Sequence, residues 1–174
     1  MEQELMRRLH LLEERMLALE QNIIPPSSQR VTSKDAFWAL NHLQEQGFDG
    51  VLFAGQVNAP EGGTVAWQYG LPTRAFLNQE WDPAASVLAA LGSPPRLRLL
   101  RAILKGQTRN AELAQLDEVG STGQLYHHLR ELVAAGWLKS TGRGIHCIPG
   151  ERVVPLLIIL AATEALDLQA GEDQ

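Results

Sequence analysis

Leu5, Leu9, Leu12, Met16, Leu19 and Ile23 follow one another at alternating gaps of four and three residues. That spacing is the apolar seam of a coiled coil, with Glu13, Glu14 and Arg15 among the polar positions between. About three heptads make only a marginal helix alone, so residues 1–24 are expected to pair with a second copy through Leu5, Leu9, Leu12, Met16 and Leu19. The alternative is an amphipathic helix laid on its own domain. Pro25-Pro26-Ser27-Ser28 ends the pattern and opens a linker, residues 25–32. Segment 33–79 follows. Its helix is predicted to start at Thr32 or Ser33 and run to about Gln46, stopping at Gly47, with Ala36, Phe37, Leu40 and Leu43 on its apolar face. Two β-prone runs, Val51 to Val57 and Thr64 to Tyr69, are joined by Asn58 to Gly63 and read as a hairpin. A lone hairpin is unstable in water, so it must pack on the preceding helix, on the downstream domain or on a partner subunit.

From Asp82 onward the spacing is helical. Asp82-Pro83 and Ser93-Pro94 are two start signals, a capping residue followed by proline in the first turn. The first helix runs to about Leu91; the second carries Leu97, Leu99, Leu100 and Ile103 to Lys105-Gly106. Thr108 or Asn110 caps a short helix over Ala111 to Leu116, and Asp117 to Gly120 turn the chain. Ser121-Thr122 then opens a helix, about 121–135, in which Leu125, Leu129 and Leu132 make one apolar stripe before Gly136 stops it. A tight hairpin over about 138–148 turns at Gly142-Arg143-Gly144. After Pro149-Gly150 a last helix, 151–168, is apolar on most sides at its start and must be buried, with a second subunit as the expected cover through Val153 and Leu157. Residues 169–174 are a tail. The predicted class is mainly α with small β (α+β), with residues 82–150 as the central domain.

Charge sharpens this division. The chain of 174 residues has a formal net charge of -5, which alone argues against a nucleic-acid partner. The distribution reverses the argument. Residues 92–152 hold 9 basic and 5 acidic side chains, net +4, whereas residues 153–174 hold 4 acidic and none basic. The basic third is the one that contains the Ser121 helix. Cys147 is the only cysteine, so no disulfide closes within the chain and a cytoplasmic location is expected. The longest apolar run, Val153 to Ala162, is too short to span a bilayer, and no membrane association is expected.

Leu91, Gly92, Pro95, Arg96, Leu99 and Leu100, then Ala111 to Ala114, then Ser121, His128, Leu129, Leu132, Ala135, Gly136 and Leu138 follow a recognisable order. Together they resemble the winged-helix transcription regulators of the ArsR type, over about residues 82–168. The resemblance implies a winged helix-turn-helix preceded by the coiled-coil helix and by the helix-plus-hairpin segment. It also implies a homodimer on double-stranded DNA, regulating transcription, with repression the first expectation over activation. The cysteine-rich metal-sensing signature of the founding members is missing from Ala111 to Leu116.

In such a fold the Ser121 helix enters the major groove and the hairpin touches the backbone or minor groove. With Leu125, Leu129 and Leu132 turned to the core, the candidate DNA contacts are Ser121, Thr122, Gln124, Tyr126, His127, Arg130, Lys139 and Arg143. Gln124 suits a bidentate contact to adenine, and Arg130 a guanine or a phosphate. His128 is expected to pack or to be hydrogen-bonded rather than read bases. Trp38, Phe53, Trp67 and Tyr69 are candidates for a small-molecule effector pocket, with ordinary core packing the favoured alternative. His127, His128, His146 and Cys147 have the atoms for zinc but no ligand spacing, so no metal and no cofactor are expected. No phosphate-binding loop or nucleophile elbow points to an enzyme. The rival function is a winged-helix module that binds protein and not DNA.

Overall fold

The structure is a computed structural model that describes residues 37–60, 63–117 and 119–163. The predicted coiled coil with Leu5, Leu9, Leu12, Met16 and Leu19, the linker 25–32 and the tail 169–174 lie outside the described residues, as do residues 164–168 of the predicted last helix. The fold is mixed, with helices and two antiparallel two-stranded hairpins among the described residues. The chain divides into two compact units at Gln46/Gly47. The predicted segment 33–79 is therefore cut: its helix falls in the first unit and its hairpin in the second.

In the first unit, α1 spans Trp38–Glu45 and buries none of its residues. Phe37, Trp38 and Leu40 are all exposed, so the apolar face read from the sequence has no cover among the described residues of that unit.

The second unit begins with β1 (Gly50–Asn58) and β2 (Thr64–Pro72), paired in continuous antiparallel register from Gly50↔Pro72 to Asn58↔Thr64. Both strands run further than the alternation predicts. A short helix not foreseen from the sequence, α2 (Thr73–Leu77), follows at once. The Thr73 hydroxyl donates to the Asp49 carboxylate at 2.8 Å and the Thr73 amide to the Asp49 carbonyl at 3.0 Å, tying the open ends of the hairpin together. Next come α3 (Asp82–Leu91) and α4 (Pro94–Leu104), each with proline in its first turn. A short α5 (Asn110–Leu113) leads to α6 (Thr122–Ala134), then to β3 (Lys139–Gly142) and β4 (Ile145–Cys147), and to α7 (Gly150–Ala162).

One core holds this unit. Leu99, Leu100 and Ile103 of α4, Leu113 of α5, Leu125, Leu129 and Leu132 of α6, Trp137, and Val153 and Leu156 of α7 are all buried in it. Burying one such leucine contributes about 1.5–3 kcal/mol. Trp137, 1% exposed, donates its indole N–H to the Val87 carbonyl at 2.9 Å, and Arg152 lies 5.2 Å over its ring. The Arg96 side chain donates to the Ala90 and Ala89 carbonyls at 2.6 and 2.8 Å, closing the C-terminal end of α3. Two of the nine basic residues counted in the middle third are thus committed to structure.

The β1–β2 hairpin packs on α7 of its own chain. Val57 and Val65 sit against the common core. At Gly55 a Cβ would stand 2.8 Å from a Val154 methyl, so only glycine lets strand and helix come this close. The apolar start of α7 is therefore covered from within the chain. Val153, expected at a subunit interface, is 6% exposed and belongs to the core, while Leu157 is exposed. Among the described residues no helix is long and apolar enough to cross a membrane.

Candidate nucleic-acid interface

The N-terminus of α6 is built by a reciprocal cap. The Gln124 amide donates to the Ser121 hydroxyl at 3.4 Å, and the Ser121 amide donates to Gln124 Oε1 at 2.7 Å. This capping box satisfies two backbone donors that a helix start leaves unpaired. Gly120, with φ at 90°, must be glycine: a Cβ there would run into the Gln124 amide. The cap bears directly on the role expected of Gln124. Its Oε1 is committed to the cap, so a bidentate grip on adenine, which needs both amide atoms, would require the cap to open. The capping box is legible in Ser121 and Gln124 three residues apart; the competition between cap and base is not, because it depends on which way the Gln124 amide turns.

Thr122, Tyr126, His127 and Arg130 are exposed on α6, as are Ser121 and Gln124, while Leu125, Leu129 and Leu132 face inward. Lys139 and Arg143 are exposed on β3 and on its turn. The eight candidate contacts thus all reach solvent. His128 is half-buried, its ring 5.6 Å from that of His127, and its Nδ1 is buried without a partner. Burial, followed by the neighbouring His127 and Arg96 charges, holds its pKa below the usual value, against the opposing effect of Glu131. This packing role agrees with the expectation.

Asn110, which the sequence offered only as a cap, joins three elements. Its amide donates to the Gly144 carbonyl at 2.8 Å. Its side-chain Oδ1 lies 3.0 Å from His146 Nε2, and its Nδ2 lies 3.5 Å from the Tyr126 hydroxyl, the outer limit of a hydrogen bond. An isolated bridge between Arg109 and Ile145, and the His146 amide donating to the Thr108 carbonyl at 2.9 Å, hold the residues just before α5 against β4. The turn carrying Arg143 and the face of α6 carrying Tyr126 are held on one side of the molecule by these bonds. No periodicity or charge pattern signals this, because it depends on strand pairing across more than thirty residues. His146, 9% exposed, has a pKa lowered by burial.

The proposed effector residues are not gathered into one cavity by the described geometry. Phe53 and Tyr69 are cross-strand partners on the hairpin, rings 5.9 Å apart, and Trp67 lies two positions along from Tyr69, opposite Gly55. Trp38 lies in the other unit, exposed. Three of the four thus belong to the hairpin face that packs toward α7. Among the described residues no group of three or more His, Cys, Asp or Glu side chains could hold a metal ion. No protein-family model, no curated protein and no solved structure matches this chain.

Proposed function

We propose that residues 82–163 work as a winged helix-turn-helix of the ArsR type, with α5 and α6 as the helix-turn-helix and β3–β4 as the wing. On this reading the chain is a cytoplasmic, dimeric, sequence-specific DNA-binding regulator of transcription and not an enzyme. The observation that carries it is the Asn110 junction, which couples the polar front of α6 to the wing turn bearing Arg143. Thr122, Tyr126, His127 and Arg130 then face the major groove, and Lys139 and Arg143 the adjoining backbone or minor groove. Gln124 contributes its Nε2 while its oxygen keeps the cap. Dimerisation falls to residues 1–24 and to the outer face of α7 around Leu157, spacing two half-sites about 34 Å apart on a palindromic site.

Binding to a library of duplexes, followed by fluorescence anisotropy over a range of salt, tests this reading. Specific, saturable binding that weakens steeply with salt is the expected result, since neutralised phosphates release counterions. Undetectable affinity at low salt sinks it. A second reading, a winged-helix protein-interaction module, draws on Leu77, Trp81 and Leu88, which stand 70%, 67% and 51% exposed over α2 and α3. Apolar side chains this open mark contact surfaces when they form one patch.

A further inference from the structure

We infer that the cleft between the β1–β2 hairpin and the root of α7 is a binding site for a small uncharged apolar molecule, about one aromatic ring in size. The cleft has a volume of about 170 Å³. Its walls come from four parts of the second unit: Val57 and Val65 of the hairpin, Ile103 and Leu104 of α4, Ile148 just after β4, and Val153 of α7. All six side chains are aliphatic, and Ile103, Ile148 and Val153 belong to the common core.

The sequence explains why space stays open here. Gly55 brings β1 directly against Val154, which sets the hairpin close to α7 at that point. Two residues on, Val57 and its cross-strand partner Val65 share the face of Gly55 and meet the space bounded by α4. Valine is short, and three of the six wall positions hold it. Gly150 opens α7 on the same cleft with no side chain, and a Cβ there would meet no atom within 4 Å. Protein interiors are otherwise close-packed, and a space lined by aliphatic groups forfeits dispersion contacts that an apolar guest restores. Water is a poor occupant of such walls, because it needs about two to four polar partners. A charge fares worse, since burial against aliphatic walls leaves it unpaired.

Cys147 gives the cleft a marker. Successive strand residues point to opposite faces; His146 turns to Asn110, and Cys147 lines the cleft. Its thiol is free, half-buried and the only one in the chain. A guest would therefore touch β4 on the face opposite the Asn110 junction. Trp38, Phe53, Trp67 and Tyr69, the residues first considered for an effector, do not line this cleft. The larger cavity of about 390 Å³ on α4 differs in kind, because Arg98, Arg101 and Lys105 border it with Leu116 and Asp117. The assignment does not rest on whether the chain binds DNA.

Alkylation of Cys147 by iodoacetamide in the full chain, followed by mass spectrometry with and without toluene, tests it. Toluene should slow the reaction saturably, by about fivefold or more, because the guest covers the thiol. It should also raise the thermal midpoint, since it binds the folded chain alone. Benzoate, the same ring bearing a carboxylate, should do neither at equal concentration. Val57→Phe puts a ring of the chain's own into the cleft and should weaken toluene protection by about tenfold or more. Should circular dichroism show that variant misfolded, Gly150→Leu takes its place, at a helical lining position with free space around it. Absence of saturable protection by toluene overturns the assignment, as does protection that the folded variant retains in full. Equal protection by benzoate overturns the uncharged class of ligand.

Discussion

Helices α6 and α7 are each thirteen residues long and lie in the same unit, yet they spend their side chains in opposite ways. α6 buries only Leu125, Leu129 and Leu132, one stripe on one side, and leaves polar and aromatic groups outside. α7 buries the same number, Val153, Val154 and Leu156, but also half-buries Ile158, Ile159 and Leu160, and a hairpin is laid on it. α6 is anchored at its start by a side-chain cap, whereas α7 has no side-chain cap and holds Pro155 inside it. A proline interior to a helix removes one backbone bond and is tolerated where packing compensates. The lesson is that a narrow stripe frees a surface for recognition but requires local hydrogen bonds to fix the helix, while a broad apolar surface fixes the helix through tertiary contact.

Breaking the stripe should give the largest effect. Leu132 is fully buried, and Leu132→Ala is expected to cost about 2–5 kcal/mol in denaturant unfolding. A loss under about 1 kcal/mol would show that α6 is held by something other than its stripe. On the other side of the comparison, Gly55→Ala pushes a methyl against Val154 and should cost about 1–3 kcal/mol. Val154→Ala in the same chain should recover part of that loss. Additive losses in the double-mutant cycle would mean that strand and helix do not meet there.

Gln124 separates stability from recognition on α6. Gln124→Glu keeps an acceptor for the Ser121 amide and should leave the unfolding free energy within about 0.5 kcal/mol. The new negative charge should lower DNA affinity by about tenfold or more. Gln124→Ala removes the cap bond as well and should cost about 1 kcal/mol of stability. Equal DNA affinity for Gln124→Glu and the parent would take Gln124 out of the interface. Arg143→Ala should leave stability within about 0.5 kcal/mol while reducing the salt slope of DNA binding by about 1.

The smallest expected effect is the pH dependence of the junction between Asn110 and β4. Burial holds the His146 pKa below the ordinary 6.5, so the unfolded chain takes up the proton more readily. The stability that depends on neutral His146 is fully present above pH 6.5 and is lost as pH falls through the folded-state value. His128 acts in the same direction. Thermal unfolding between pH 7.5 and 5 should therefore show a falling midpoint, and His146→Gln should flatten that fall. An unchanged slope in the variant would remove His146 as its source.

Much of the second unit was legible. The prolines at Pro83 and Pro94, the Ser121 cap and the leucine spacing of α6 are short-range signals, and each marks an element that the structure contains. Strand ends were less so, because β1 and β2 extend by pairing with each other beyond the residues whose own preferences favour a strand. The hairpin groups with the downstream helices, one of the three packings its sequence leaves open. The cover over Val153 is not legible because it comes from a hairpin about ninety residues upstream. For the candidate interface, the exposed side chains of α6 followed from the stripe by subtraction, whereas Asn110 did not.

By itself the sequence determined where α3, α4 and α6 begin, which face of α6 is apolar, and that the basic charge is gathered in residues 92–152. These depend on neighbours one turn away or on simple counting. The tertiary structure decided that the β1–β2 hairpin covers α7, that Asn110 ties the β3–β4 turn to α6, that Gln124 spends its oxygen on a cap, and that Arg98, Arg101 and Lys105 border a cavity with Leu116 and Asp117. Such relations join positions far apart in the chain, and a linear pattern records periodicity but not the distance between its parts.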